Sequence, residues 1–334
     1  MKKVLLIAPD FNNYTDAFSR SISKCGYNVK HLSFTPYNWK TALLKKMHLS
    51  QEKLIAQEID AFNIKILNKY KLFLPDFVIA INGDFIKEAT LKEMGNTKKG
   101  LWLYDSITRY PRIADNWNYY DLHYVFEQSD IAILNGQGKK AVFLPQGYDD
   151  AVYAPIEKKC QDIDISFVGA MYGDRKETLE HIARHFDSLK IEFYGSYVLK
   201  RDFRAYVRFL GSDFSKVFKN KRITHEEANL LYAKSKININ ILHEQSKAGW
   251  NARLDEILGA AGFQLVSHND LISQRYSGML DTFKTKEELV SKIEYYLSHP
   301  ELRDAMRLKG YRWTKNNETY IHRFRQIMAD LESL

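Results

Sequence analysis

Ile163-Asp-Ile-Ser-Phe-Val-Gly169-Ala-Met-Tyr-Gly173-Asp-Arg175-Lys-Glu-Thr-Leu179 passes from a short apolar run, through a loop with two glycines, into a segment of helical character. The run has the length of a buried strand, and Arg175 stands where the next helix would open. Strand, small-residue loop and helix start, in that order, are the repeating unit of parallel sheets with crossover helices. Small residues let a backbone approach a phosphate, a helix N-terminus offers amide groups, and an arginine supplies a planar fork matched to phosphate oxygens. An ordinary turn with a surface arginine has the same residues, so a second feature has to discriminate.

Working outward, the same alternation runs through the whole chain. Upstream, strands are predicted at Val4 to Ala8, Val29 to Phe34, Phe77 to Asn82, Leu101 to Tyr104, His123 to Phe126, Ile131 to Leu134 and Val142 to Leu144. A long amphipathic stretch from Trp39 to Leu74 lies among them. Downstream, Ile191 to Tyr194, Ile237 to Leu242 and Phe263 to Val266 follow, with capping-box spacings at Thr224/Glu227 and Thr285/Glu288 marking helix starts. The polar segment Tyr153 to Asp162 reads as a linker, which places one doubly wound domain over 1–154 and a second from 155.

The chain has 334 residues, 45% of them hydrophobic, with 7 Pro and 16 Gly, enough for two cores and too apolar for disorder. The net charge of +8 is concentrated. Residues 198–224 hold eight bases against two acids, and residues 40–71 hold seven against three, which leaves the remainder near neutral. Such surfaces invite an anionic partner. Two cysteines, Cys25 and Cys160, without paired metal-ligand spacing, argue against a disulfide framework or a zinc site and for a reducing cytoplasm. The apolar run after Met1-Lys-Lys is five residues and ends at Pro9-Asp10, a first strand rather than a leader, and no stretch approaches the ~20 apolar residues of a membrane span.

Two local patterns are set aside. Gly136-Gln-Gly138 lacks the following helix that a dinucleotide fingerprint requires. Asp162-Ile-Asp164 stands at the entrance of a strand, the wrong end for a metal-held diphosphate, so no metal site is expected.

The discriminating feature is Gly249-Trp-Asn251-Ala-Arg253-Leu-Asp-Glu256, followed by small residues to Gly262. Asn251 can open a helix, on which Arg253 and Glu256, three apart, share a face. Read structurally they form a salt bridge. Read chemically, Arg253 faces a diphosphate and Glu256 accepts hydrogen bonds from two ribose hydroxyls. Tyr194-Gly195-Ser196 and the backbone of Ile223 are candidates beside a nucleobase, and either can equally be a plain turn.

Gly169 with Arg175, Asn251 with Arg253 and Glu256, Gly262, and the tail from Tyr295 through Pro300 and Arg303 to Tyr311 resemble the C-terminal half of GT-B glycosyltransferases, in the group-1-like and spore-maturation CgeB-like branch. The layout is also similar to the phage DNA beta-glucosyltransferases, where two arginines hold the diphosphate of UDP-glucose and a glutamate its ribose. The resemblance implies an α/β fold of two doubly wound, Rossmann-like domains facing a cleft. The first, over 1–154, would bind acceptor; the second, over 155–312, would bind a nucleoside diphosphate sugar with no required cofactor. A helix over 313–334 would cross back to the first. Many retaining members carry an acid eight positions before the ribose glutamate, and Ala248 stands there, which favours inversion.

Asp105 closes the apolar run Leu101-Trp-Leu-Tyr and resembles the strand-end aspartate that serves as catalytic base in the phage enzymes. A helix N-cap is its alternative role, and Asp84 and Asp10 are rival bases at other strand ends. These features imply transfer from a UDP-sugar to a cell-surface or lipid-linked glycan by a cytoplasmic protein, peripheral on the inner membrane face through the basic 40–71 helix. A DNA acceptor on the basic 198–224 segment, or nucleotide-sugar binding without turnover, are the alternatives.

Overall fold

A run such as Phe77–Ile81, buried at every position, needs cover on both faces, and a parallel sheet between helical layers supplies it. The computed structural model describes residues 1–9, 14–37, 39–47, 49–109, 116–157, 161–199, 202–243, 246 and 248–334. Asp10, Cys160, Lys200 and Arg201 lie outside the described residues. The chain divides into two compact units, Met1–Gln146 with Tyr320–Leu334, and Gly147–Thr319.

The first unit contains β1 (Lys3–Pro9), α1 (Tyr14–Lys24), β2 (Asn28–Phe34), α2 (Trp39–Lys46), α3 (Glu52–Phe73), β3 (Phe77–Ile81), α4 (Glu88–Glu93), β4 (Lys98–Leu103), β5 (Leu122–Val125), α5 (Ser129–Gly136) and β6 (Ala141–Phe143), together with the last helix, α14 (Tyr320–Glu332). Its sheet is parallel throughout, in the order β2-β1-β3-β4-β5-β6, so the winding reverses between β1 and β3. The second unit contains β7 (Ile163–Val168), α6 (Arg175–His185), β8 (Ile191–Tyr194), α7 (Phe203–Leu210), α8 (Phe214–Val217), β9 (Phe218–Lys219), α9 (His225–Lys234), β10 (Ser235–Asn240), α10 (Ala252–Gly259), β11 (Gln264–Ser267), α11 (Asp270–Arg275), β12 (Asp281–Phe283), α12 (Lys286–Ser298) and α13 (Pro300–Asn317). Its parallel order is β12-β11-β10-β7-β8-β9, and the winding reverses between β7 and β10.

Several sequence expectations are corrected. Ile131 to Leu134 is not a strand but the middle of α5. Asp130 in that helix is buried and accepts from Ile107 N (3.0 Å) and Ser106 Oγ (3.2 Å), and Leu134 is fully buried; a four-residue apolar run alone does not distinguish the two states. The stretch from Trp39 to Leu74 is broken into α2 and α3, and α3 lays Phe62 and Ile66 into the unit's own core, with Phe34 stacked on Phe62 at 4.3 Å. The strands β9 and β12, two and three residues long, are too short for periodicity to reveal.

The division between units falls at Gln146/Gly147 rather than at 154, because Tyr148 and Tyr153 are buried among Ala228, Tyr232 and Ile257 of the second unit. No separate helix begins at 313: α13 continues to Asn317, and the chain re-enters the first unit only with α14. Between them Glu318 is fully buried, with its carboxylate against the Arg275 guanidinium. In the first unit α14 buries Tyr320, Phe324, Ile327, Met328 and Leu331, and the Phe324 ring meets Phe18 at 5.5 Å and Trp102 at 5.6 Å.

Phe324 therefore belongs to the core of a unit from which it is separated by the whole second unit in sequence. Phe324→Ala is expected to lower stability by about 3–5 kcal/mol, read from the denaturant midpoint. A loss under about 1 kcal/mol would show that α14 does not hold that core.

Candidate functional site

In a doubly wound sheet the loops on either side of the winding reversal diverge and leave a crevice at the carboxyl ends of the strands. In the second unit that crevice lies between the loops that follow β7 and β10. Arg175 opens α6 but turns inward and is only 6% exposed. Its Nη1 donates to Ala170 O (2.9 Å) and its Nη2 to Ile241 O (2.6 Å), so one guanidinium joins the two loops. Among the described residues no carboxylate lies within ion-pair distance of it. Burial, reinforced by the positive charge of Arg253, lowers its pKa to about 10. A buried cation facing another cation is a costly arrangement unless an anion completes it.

Arg253 comes from α10. Asn251 caps this helix by accepting from Leu254 N (3.3 Å), and its amide exchanges hydrogen bonds with Asn240 at the end of β10 (3.2 Å each way). Gln264 of β11 accepts from Asn240 and donates to Leu254 O (2.8 Å). Behind the helix, buried Asp255 accepts from Trp250 Nε1 (3.3 Å) and Tyr276 Oη (2.6 Å). The helix is thus fixed from both sides, and Glu256, 6% exposed, is presented with Arg253 on a third side. Arg253 also bonds to the buried Tyr232 hydroxyl of α9.

Gly169 and Gly195 end neighbouring strands and meet back to back: a Cβ on Gly195 would lie 1.8 Å from Gly169 O, and one on Gly169 would lie 2.8 Å from the Phe167 ring and 3.5 Å from Arg175 Nη1. Neither has positive φ, so close approach, not backbone conformation, demands glycine there. Ile223 precedes the Thr224 capping box of α9, where both reciprocal bonds form, and is half-buried against the Tyr148, Tyr153 and Tyr232 cluster. The structure therefore gathers Gly169, Arg175, Asn251, Arg253 and Glu256 about one reversal point, with Gly195 adjoining and Ile223 at the start of the neighbouring helix. Sequence reasoning passed over Tyr172, whose exposed ring stands 5.8 Å from the Arg175 guanidinium and 5.9 Å from the His243 ring. It also missed the supporting amides of Asn240 and Gln264. An aromatic in a glycine loop and amides inside a strand were the available signals.

Asp105 belongs to the first unit and stands half-buried one residue beyond Tyr104, after β4. Just beyond it, the Ile107 amide donates to Asp130 (3.0 Å). Asp84 follows β3 at that sheet's reversal point, after the left-handed pair Asn82 (φ 60°) and Gly83 (φ 71°). Burial and the Asp84 charge push the Tyr120 hydroxyl well above its usual range. Glu127, beyond β5 and 2% exposed, is a further strand-end carboxylate that the sequence did not single out. Asp162 and Asp164 pair with Lys190 (3.1 Å) and Lys236 (2.6 Å) at the opposite strand ends. Among the described residues no three His, Cys, Asp or Glu converge as metal ligands, and no helix is long and apolar enough to cross a membrane.

A family model described as glycosyl transferase-like matches residues 175–329. No curated protein sequence matches the chain. Among solved structures, sucrose-phosphate synthase from Thermosynechococcus elongatus superposes with a TM-score of 0.70 at 10% identity, over 100% of this chain and 98% of that one. OtsA in its apo form gives 0.68 at 12% identity, and Anabaena HepE in complex with UDP and glucose gives 0.67 at 12%, each over 100% of both chains. At this identity the likeness is one of fold: the chain has the α/β architecture of GT-B glycosyltransferases, two parallel six-stranded sheets with helices, and carries a glycosyl transferase-like domain over residues 175–329.

Proposed function

We propose that this protein is a glycosyltransferase that takes a sugar from a UDP-sugar and places it on a hydroxyl of a cell-surface or lipid-linked glycan. The observation that carries the reading is Arg175, buried beside Arg253 and bonded to two carbonyls, with no carboxylate within ion-pair distance among the described residues. A diphosphate supplies the missing negative charge. The complex of HepE with UDP and glucose supports uridine as the base.

In this reading Arg175 and Arg253 hold the diphosphate and Glu256 accepts from the ribose hydroxyls. As the bond between the anomeric carbon and the diphosphate breaks, charge grows on the leaving oxygen, and two preorganised guanidinium groups stabilise that charge more than the ground state. They fill the place that a divalent ion takes elsewhere, and the reaction is metal-independent. Asp105 of the first unit acts as base, removing the acceptor proton while its oxygen attacks from the face opposite the diphosphate. Such a base contributes roughly 10² to 10⁴-fold. The product anomer is inverted relative to the donor.

Glu256→Ala is expected to raise the dissociation constant for UDP about 5- to 150-fold, from the loss of about 1–3 kcal/mol of hydrogen bonding; unchanged affinity by calorimetry removes the ribose role. Arg253→Met should weaken UDP more than uridine, since only the diphosphate meets the guanidinium, and equal losses would place Arg253 elsewhere. Asp105→Asn should keep UDP affinity and lose transfer by about 10² or more, whereas a near wild-type rate assigns the base to another carboxylate. A panel of nucleotide sugars, assayed for free nucleoside diphosphate and for product anomer by NMR, names the donor; retention of configuration would exclude the single-base mechanism.

A further inference from the structure

The geometry points to α7 as a membrane-docking helix, with an anionic bilayer surface as its partner. Phe203, Val207 and Leu210 recur at i, i+4 and i+7 and are 74%, 49% and 54% exposed, with Leu199 just before them at 57%. The opposite side of the helix carries Phe209, buried in the unit's core with Phe214 and Phe218. The helix is held in place by that anchor and by Asp202, whose carboxylate accepts from Ala205 N (3.3 Å). It therefore exposes an apolar stripe on a fixed scaffold.

Arg204 and Arg208, one turn apart, run along one side of the helix, roughly 90–130° round from the stripe, and neither has an ion-pair partner among the described residues. The other described cations of the segment are engaged: Lys216 pairs with Asp213 (2.7 Å) and Lys221 with Glu227 (3.2 Å), while Lys219 donates to Lys216 O (3.0 Å) and Arg222 to Ser196 Oγ (3.1 Å). An apolar stripe with free arginines to one side of it, on a short helix about 12 Å long, is the chemistry of an interfacial helix. The apolar side chains enter the headgroup boundary while the arginine stems reach back to lipid phosphates.

Two other occupants fit less well. Nucleic acid is gripped through its phosphates, and a Phe-Val-Leu stripe offers these nothing while losing its own burial. A second copy related by a two-fold axis would set Arg204 and Arg208 against their own counterparts. In the basic 40–71 stretch, where the sequence suggested membrane contact, Phe62 and Ile66 of α3 are committed to the core of their own unit while Leu43, Met47 and Ile64 are exposed on α2, α3 and the turn between them. Docking through α7 goes beyond the donor reading and does not depend on it, because it is measured without nucleotide.

The test is co-sedimentation of the full chain with vesicles of equimolar phosphatidylcholine and phosphatidylglycerol, against pure phosphatidylcholine, over a salt series. The wild type should bind the anionic vesicles and release as salt rises. The triple variant Phe203→Ser, Val207→Ser, Leu210→Ser, altered only at exposed positions, should bind at least about tenfold more weakly with unchanged thermal unfolding. Arg204→Gln with Arg208→Gln should lose the preference for anionic lipid. The Phe203→Trp variant should shift its emission to the blue on those vesicles, which reports insertion even if the triple variant misfolds. UDP affinity should be the same in all. No binding by the wild type, wild-type binding by the triple variant, or an emission spectrum of Phe203→Trp that vesicles leave unmoved would overturn the proposal. So would a dimer that the triple variant dissociates, or duplex DNA binding that is lost with the arginines and kept without the apolar stripe.

Discussion

The second unit depends on a cation held by carbonyl groups. Arg175 donates to Ala170 O and Ile241 O, and those bonds tie together two loops that the winding of the sheet drives apart. An arginine brings five N–H donors in a rigid fork, so two bonds to backbone leave the rest of the fork available. A carboxylate partner would neutralise the group and close the site, whereas neutral carbonyls position it and leave its charge in place. Burial and the neighbouring Arg253 then act in the same direction, lowering the pKa of Arg175 to about 10, so its charge is held at a cost that a nearby anion would offset.

Everything around Arg175 reduces the freedom of the groups that face it. Gly195 lets β8 close against the Gly169 carbonyl, a contact no side chain allows, and so fixes the loop after β7. The eight-residue helix α10 would be marginal alone. It is locked by the Asn240–Asn251–Gln264 amides on one side and by Asp255, with its Trp250 and Tyr276 partners, on another. Adjacent carboxylates on one helix differ by about 100° in direction, so Asp255 serves the core while Glu256 stands with Arg253.

The sheets were legible because buried parallel strands read as short apolar runs between turn residues; Ile163–Val168 and Ile191–Tyr194 coincide with β7 and β8 to the residue. Periodicity failed where elements were too short to have a period, as in β9, β12 and the four residues that became part of α5. The unit boundary was misplaced because Tyr153 sits in a polar segment, and only packing shows its ring stacked near Tyr232 (6.2 Å). Charged residues at helix starts, Arg175 and Arg253, announced themselves in sequence. Asn240 stood out as an amide inside a strand, but an asparagine there carries no local signal of the partner it will meet.

The positive charge of the chain thus divides by dielectric environment rather than by count. In the crevice, Arg175 is buried and Arg253 partly so, and on the proposed reading a phosphate beside them would feel their charge with little screening. The bases about α7 are many, exposed and screened within a Debye length of about 8 Å, so they act only on a surface that is itself densely charged and close. On the proposed readings, the same residue type therefore serves two physical tasks in one unit. What separates them is whether the guanidinium rests on buried carbonyls, as in Arg175, or beside an exposed apolar stripe, as in Arg204 and Arg208.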